Sequence, residues 1–223
     1  MQRSPEPELM LDPQQAHAYA QADFEAPHSY FIELFQQSFP GLEPSGAILD
    51  LGCGPGDISV RFARAFAQCQ IDGIDGAQAM LEAGAPLVAA SGLAQRVKLS
   101  YARLPEDAPP RPHYEGIISN SLLHHLHQPQ ILWEAIKRYA KPGAFVFVMD
   151  LMRPPTEAIA RELVQRCSGN EPEVLQRDFY HSLLAAFRPD EIAQQLQQAK
   201  LELQIEVVSD RHLIAYGYLP NSH

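Results

Sequence analysis

The residues Asp50-Leu51-Gly52-Cys53-Gly54-Pro55-Gly56-Asp57 set three alternating glycines between an apolar run and the start of a helix. Glycine has no Cβ, so such a turn takes positive φ and lets a small ligand lie against the main chain. The unpaired N–H groups of the next helix stand beside it. The apolar run Ala47–Leu51 reads as a strand, which places a cofactor cradle at its carboxyl end. Two carboxylates flank that cradle, Asp50 before it and Asp57 after it. A dinucleotide fingerprint, Gly-x-Gly-x-x-Gly, would need glycine where Asp57 stands, and a pyrophosphate favours a helix N-terminus free of carboxylates. A ligand that carries positive charge suits the loop better.

About twenty residues further on, as one strand-helix-strand unit requires, Cys69-Gln70-Ile71-Asp72-Gly73-Ile74-Asp75 reads as a second strand ending in a carboxylate. Asp75 can accept hydrogen bonds from a ribose diol, or it can cap the helix that starts near Ala77. A third strand-to-polar break follows in Gly116-Ile117-Ile118-Ser119-Asn120-Ser121-Leu122-Leu123-His124-His125-Leu126. Its histidines are candidates for a general base, with the alternative that they only cap the next helix or pack on the sheet.

With these pieces in order, the chain resembles the class I S-adenosylmethionine-dependent methyltransferases, especially their small-molecule branch. The resemblance rests on Asp50 to Gly56, on Ile74-Asp75-Gly76-Ala77-Gln78-Ala79-Met80-Leu81, on Asn120-Ser121-Leu122-Leu123-His124-His125-Leu126-His127, and on Leu132 to Phe147. It implies S-adenosyl-L-methionine as cofactor. Gly52, Cys53, Gly54 and Gly56 would hold its methionine part with Asp50 near the ammonium, and Asp75 would bind the ribose hydroxyls. Gly76 to Met80 would lie along the adenine, and Asn120 and Ser121 beside the sulfonium. Relatives often carry an Asp-Ala pair after the third strand, whereas Leu99-Ser100-Tyr101-Ala102-Arg103-Leu104-Pro105 offers no carboxylate, which leaves adenine recognition to Ala102, Arg103 and main-chain groups. His124, His125 and Asn120 are the expected catalytic residues, His124 first among them. Tyr19 and Phe24 lie where relatives close an N-terminal helix over the cofactor.

The implied fold is α/β, a Rossmann-like doubly wound sheet of seven strands with an antiparallel C-terminal hairpin and a helical cap. One domain is expected over 1–223: an N-terminal helical lid at 1–40, a cofactor-binding core at 41–150, a cap insertion at 151–187, and a last helix with edge hairpin at 188–223. Met1 to Pro13 reads as irregular, Gln14 to Phe39 as one or two helices, and Thr156 to Phe187 as helical. Pro142-Gly143 reads as the punctuation between a helix and a fifth strand from Ala144 to Asp150. Leu203–Val208 and His212–Tyr218 are too close in sequence for a parallel crossover, so they read as a hairpin. Candidate substrate contacts are Arg153 at the end of the fifth strand and Arg177, Asp178 and Tyr180 in the cap; an arginine facing the pocket would favour an anionic substrate.

Seventeen basic against twenty-seven acidic residues give a net charge of −10, which opposes nucleic-acid binding, since phosphate contacts supply much of that affinity. Three cysteines without metal-ligand spacing argue against a disulfide framework and against a metal centre, and for a reducing compartment such as the cytoplasm. No stretch is long and apolar enough to span a membrane. The expected partner is a small molecule, and the chain is a monomer or homodimer. The motifs leave open an enzyme that cyclises the cofactor or transfers its aminocarboxypropyl group, an NAD-dependent oxidoreductase, and a non-catalytic cofactor-binding module.

Overall fold

The computed structural model describes residues 1–223 apart from Glu8, Met10, Asp23, Ser222 and His223, with Gln21 described by its backbone alone. Strands β1 (Gly46–Leu51), β2 (Cys69–Asp75), β3 (Val97–Tyr101), β4 (Tyr114–Asn120), β5 (Ala140–Leu151), β6 (Gln204–Val207) and β7 (His212–Tyr218) form one sheet in the order β3-β2-β1-β4-β5-β7-β6. The first five are parallel; β7 runs antiparallel to both β5 and β6. This is the sheet the sequence predicts, antiparallel hairpin included.

Parallel strands covered on both faces read as near-continuous apolar runs, and β1, β2, β4 and β5 are buried along most of their length. Two cores result. On one face Leu49, Leu51, Ile117 and Val146 meet Trp133 and Ile136 of α5 (Gln130–Tyr139) and Leu196 of α8 (Pro189–Ala199). The Trp133 indole N–H is satisfied by Gln195 Oε1 at 3.0 Å. On the other face α2 (Glu25–Ser38) sets Phe31, Leu34 and Phe35 at helical spacing against Ile48, Phe147 and Phe62 of α3 (Asp57–Ala65). Phe35 packs edge-on to Phe62, Phe66, Phe145 and Phe147 with centroids 4.9 to 5.5 Å apart. That arrangement adds to the gain from burial alone.

Two local differences from the sequence expectation have physical causes. β5 starts at Ala140, not Ala144, because Ala140 already pairs with Tyr114 before the register shifts at Gly116. Pro142 and Gly143 (φ +75°) therefore form an irregularity inside the strand rather than a turn before it. The predicted helical stretch from Thr156 divides into α6 (Glu157–Ser168) and α7 (Glu173–Ala185), interrupted at Gly169 to Pro172 by a proline that cannot continue a helix.

The N-terminus is irregular, as predicted, yet it is tied down. Arg3 donates from Nε to the Ala185 carbonyl and from Nη2 to the carbonyls of His124 and Leu126, and its guanidinium stacks 4.0 Å over the Phe187 ring. α1 (Pro13–Gln21), capped by Asp12, then lays Ala16 on Ala77 and Met80 of the segment leading into and through α4 (Gln78–Ala90).

α4 approaches the glycine loop so closely that a Cβ on Gly84 would lie 2.1 Å from the Pro55 carbonyl oxygen. Gly84→Ala is accordingly expected to lower stability by about 1–3 kcal/mol, measured as a shift in the urea midpoint at unchanged slope. An unshifted midpoint would mean that α4 is free to move off the loop.

Candidate functional site

The carboxyl ends of β1, β2 and β4 surround the point where the strand order reverses, the usual place for a ligand crevice in an open α/β sheet. A cavity of about 390 Å³ opens there, lined by Gly52, Cys53, Gly54, Asp50, Asp75, Gly76, Met80, Ala102, Arg103, Asn120 and Ser121, with Tyr19 across from them. Gly52, Gly54 and Gly56 have φ of +70°, +53° and +84°. The Gly52 and Cys53 amides both donate to the Ile74 carbonyl, at 2.9 and 3.0 Å. The Gly54 amide donates to Asp75 Oδ2 at 2.9 Å, while Asp75 Oδ1 accepts from the Ala77 amide at 2.8 Å. Asp75 thus acts as the cap considered for it and still faces the cavity, where a carboxylate has lone pairs left for further donors. Gly56 does not line the cavity; it forms the left-handed N-cap of α3, where a Cβ would lie 2.7 Å from Leu99 Cδ1. Its expected contact with a ligand is replaced by a packing role.

Three carboxylates share this hollow, and only Asp57 has a cation. It contacts His28 Nδ1 at 2.6 Å and accepts from Arg61 Nε at 2.7 Å. Burial alone would raise the Asp57 pKa, but those two partners bring it below the usual carboxylate value. Asp50 is buried and accepts only from Ser59 Oγ, at 2.5 Å, and burial pushes it up to about 7. Burial also raises Asp75, against the pull of its two amides. Among the described residues neither Asp50 nor Asp75 pairs with a cation, and the first turn of α3 has no side-chain cap. Burial drives the Cys53 thiol well above its ordinary value, so it behaves as a small apolar wall.

A second cavity of about 980 Å³ continues from the first. Both share Tyr19, Phe24, His28, Asn120, Ser121 and His125. Tyr19 packs on Phe24 and Phe24 on His28, with centroids 4.7 and 5.0 Å apart, which makes one aromatic roof over the junction. Ser121, at φ +57°, is a non-glycine residue in a strained conformation at this point. His124 lines the second cavity with Nδ1 2.5 Å from Asp150 Oδ1. Burial would lower its pKa, but the Asp150 charge and hydrogen bond outweigh it and the net shift is upward. His125 goes the opposite way, held well below its ordinary value by burial and by the neighbouring His124. His127 turns away and bonds the Glu6 carbonyl through Nε2 at 2.7 Å.

Two predicted substrate contacts are corrected. Arg153 is buried away from both cavities: it donates to the Ala186 carbonyl at 2.9 Å and to Glu191 Oε1 at 2.6 Å, locking the end of β5 to α8. Tyr180 leaves the cavity face of α7 and turns to α6, with its hydroxyl on Glu157 and the Arg161 guanidinium over its ring. Arg177 and Asp178 do line the second cavity, and Asp178 is held by Gln15 Nε2 of α1. Sequence reasoning missed His28, Glu6 and His212. For His28 the signal was present, since Phe24-x-x-x-His28 repeats one helical turn.

Glu191→Gln would leave the Arg153 guanidinium buried beside a neutral partner. The expected loss in urea unfolding is roughly 2–3 kcal/mol, whereas a midpoint equal to the parent's would show Arg153 free to turn into the cavity.

The profile of the methyltransferase domain matches residues 49–146. The ubiquinone biosynthesis O-methyltransferase of Bordetella pertussis is 33% identical over 162 residues, 70% of this chain and 61% of that protein. The chain spans about three fifths of the length of this relative. Among solved structures, a SAM-dependent methyltransferase from Aquifex aeolicus superposes with a TM-score of 0.69 at 18% identity, covering 93% of this chain and 98% of the other. A plantazolicin methyltransferase in complex with a monoazolic desmethylPZN analog and SAH gives 0.66 at 14% identity, covering 94% and 96%. Together with the glycine loop, the strand order and the crevice at the point of reversal, these likenesses carry the conclusion that the chain belongs to the class I S-adenosylmethionine-dependent methyltransferases.

Proposed function

We propose that this protein transfers the methyl group of S-adenosylmethionine to a small-molecule acceptor held in the second cavity. The observation that carries the reading is a pair of carboxylates, buried Asp50 and half-buried Asp75, that line a glycine-walled cavity and pair with no cation among the described residues. Buried carboxylates favour a cationic or hydrogen-bonding partner, and the cofactor brings an ammonium, a sulfonium and a ribose diol. Bound there, it supplies an electrophilic methyl group. Asp50 would hold the ammonium and Asp75 the ribose hydroxyls. Gly52, Cys53 and Gly54 admit the chain of the cofactor against the backbone. Gly76, Met80, Ala102 and Arg103 would hold the adenine.

Asn120 and Ser121, at the junction of the cavities, position the acceptor against the methyl group, with Tyr19 excluding water. Positioning of this kind supplies much of the acceleration, with effective molarities that reach ~10⁵ M. His124 and His125 activate the acceptor. Held through Nδ1 by Asp150, which also raises its pKa, His124 presents Nε2 in its neutral form for the proton that the acceptor loses. Arg177 and Asp178 contact the distal part of the acceptor. The name of the Bordetella relative supports oxygen as the methylated atom. The net charge of −10 supports a partner other than nucleic acid, and three free cysteines support the cytoplasm. No helix among the described residues is long and apolar enough to cross a membrane. A monomer or homodimer completes the reading.

Asp75→Ala removes both the loop lock and the ribose acceptor. Calorimetry with S-adenosylhomocysteine should show binding weakened roughly 10- to 100-fold, and unchanged affinity would remove Asp75 from the site. The Asp50 carboxyl, near pH 7 in the free protein, is expected to lose its proton when an ammonium arrives. Because the bound state holds fewer protons, affinity should rise as pH increases from about 6 to about 8, and Asp50→Asn should flatten that rise. A parent profile already flat across this range would show that Asp50 does not meet the ammonium.

A further inference from the structure

The N-terminal strap carries one side chain that the methyl-transfer reading does not use. Glu6 enters the second cavity, its carboxylate mostly buried, and points Oε1 at both histidines of the loop after β4. Oε1 lies 3.6 Å from His124 Nε2 and 3.2 Å from His125 Nδ1, and the three donor atoms fall within 4.8 Å of one another. Neither approach is aligned as a hydrogen bond. His125 Nδ1 is buried and has no hydrogen-bond partner among the described residues, an arrangement that calls for an explanation in a native fold.

We propose that Glu6, His124 and His125 bind a divalent first-row transition cation, zinc being the best match, on the wall of the second cavity. Four donors about a zinc ion at 2.0–2.1 Å lie roughly 3.3–3.4 Å apart in tetrahedral geometry, and the separations of 3.2 and 3.6 Å from Glu6 Oε1 straddle that value. Two imidazoles and one carboxylate with a remaining position open to a cavity is a donor set that suits such ions. The outer contacts fit as well. Asp150 holds His124 by the ring nitrogen that the cation does not use, at 2.5 Å, and Ser182 Oγ donates to Glu6 Oε1 at 3.0 Å. Carboxylates and hydroxyls in those places orient ligands and raise their basicity. Binding releases the proton from any protonated ligand, since imidazole and carboxylate coordinate deprotonated.

The role of the cation, though not its binding, rests on the methyl-transfer reading. A cation facing the cavity lowers the pKa of an acceptor hydroxyl that enters its open position, and the hydroxyl proton leaves to solvent. Cation and proton are alternatives at His124 Nε2, so in the loaded protein the cation replaces direct proton uptake there. Glu6 also makes the strap part of the site: the ligand set is complete only when residues 1–7 lie across the loop.

The test titrates metal-free full-length protein with Co²⁺, read by its visible absorption, and with Zn²⁺ by calorimetry. One equivalent should bind. Glu6→Gln, which lies in an irregular stretch outside the core, and His125→Gln should each weaken it beyond the roughly 10- to 100-fold that loss of an outer partner costs, and Ser182→Ala by roughly 10-fold. Cys167→Ser and His113→Gln, away from the set, should leave it unchanged. Absence of saturable binding, binding retained in both Glu6→Gln and His125→Gln, or binding lost only in the Cys167 or His113 variant would each overturn the site. S-adenosylhomocysteine affinity, measured on the same preparations, judges the methyl-transfer reading separately.

Discussion

The Asp75 carboxylate is the constraint on which the site depends. One oxygen takes the Gly54 amide and the other the Ala77 amide, so a single side chain at the end of β2 fixes the loop after β1 and the start of α4 together. Since the Gly52 and Cys53 amides are also taken, by the Ile74 carbonyl, the glycine loop offers a ligand shape and close approach rather than donors. Buried charge then does the selecting. A carboxylate withdrawn from water without a partner is costly, and Asp50 answers that cost by holding its proton up to about pH 7. Asp57 instead takes His28 and Arg61 as partners.

The N-terminal forty residues form the other half of the site. Tyr19, Phe24 and His28 roof the junction of the two cavities, and His28 also reaches down to Asp57 beneath them. Arg3 binds the carbonyls of His124 and Leu126, so the strap and the histidine loop share one set of hydrogen bonds. The Arg3 guanidinium also stacks on the Phe187 ring, which ties the strap to the segment between α7 and α8 as well.

What the sequence disclosed and what it hid follow from the range of the interactions. The alternation of strands and helices, the glycine cradle and the edge hairpin are written in local periodicity and turn chemistry, and the structure has them at the expected positions within a few residues. Glu6 was out of reach because its partners lie about 120 residues away and only the tertiary path of the strap joins them. Arg153 sits at a strand end, where pockets form by default, but Glu191 on α8 claims it. On α7, each residue turns about 100°: Leu175, Asp178, Phe179 and Ser182 fall on the cavity side, Arg177 and His181 reach the cavity from the flanks, and Tyr180 falls toward α6. A cluster read as one polar patch is therefore two faces.

The lining of the larger cavity includes the polar His124, His125, Asn120 and Ser121, the apolar Met149, Leu151, Leu175 and Phe179, and the arginines Arg166, Arg177 and Arg211. Each of those arginines has a carboxylate already, Asp210 for Arg166 and Arg211 and Asp178 for Arg177. Exposed ion pairs of this kind hold little free energy, so an entering anion can exchange with them but gains little net affinity by doing so. Affinity along this wall consequently comes more from the apolar side chains, whose burial of a ligand is worth about 25 cal/mol per Å², and from His124, which Asp150 holds in place.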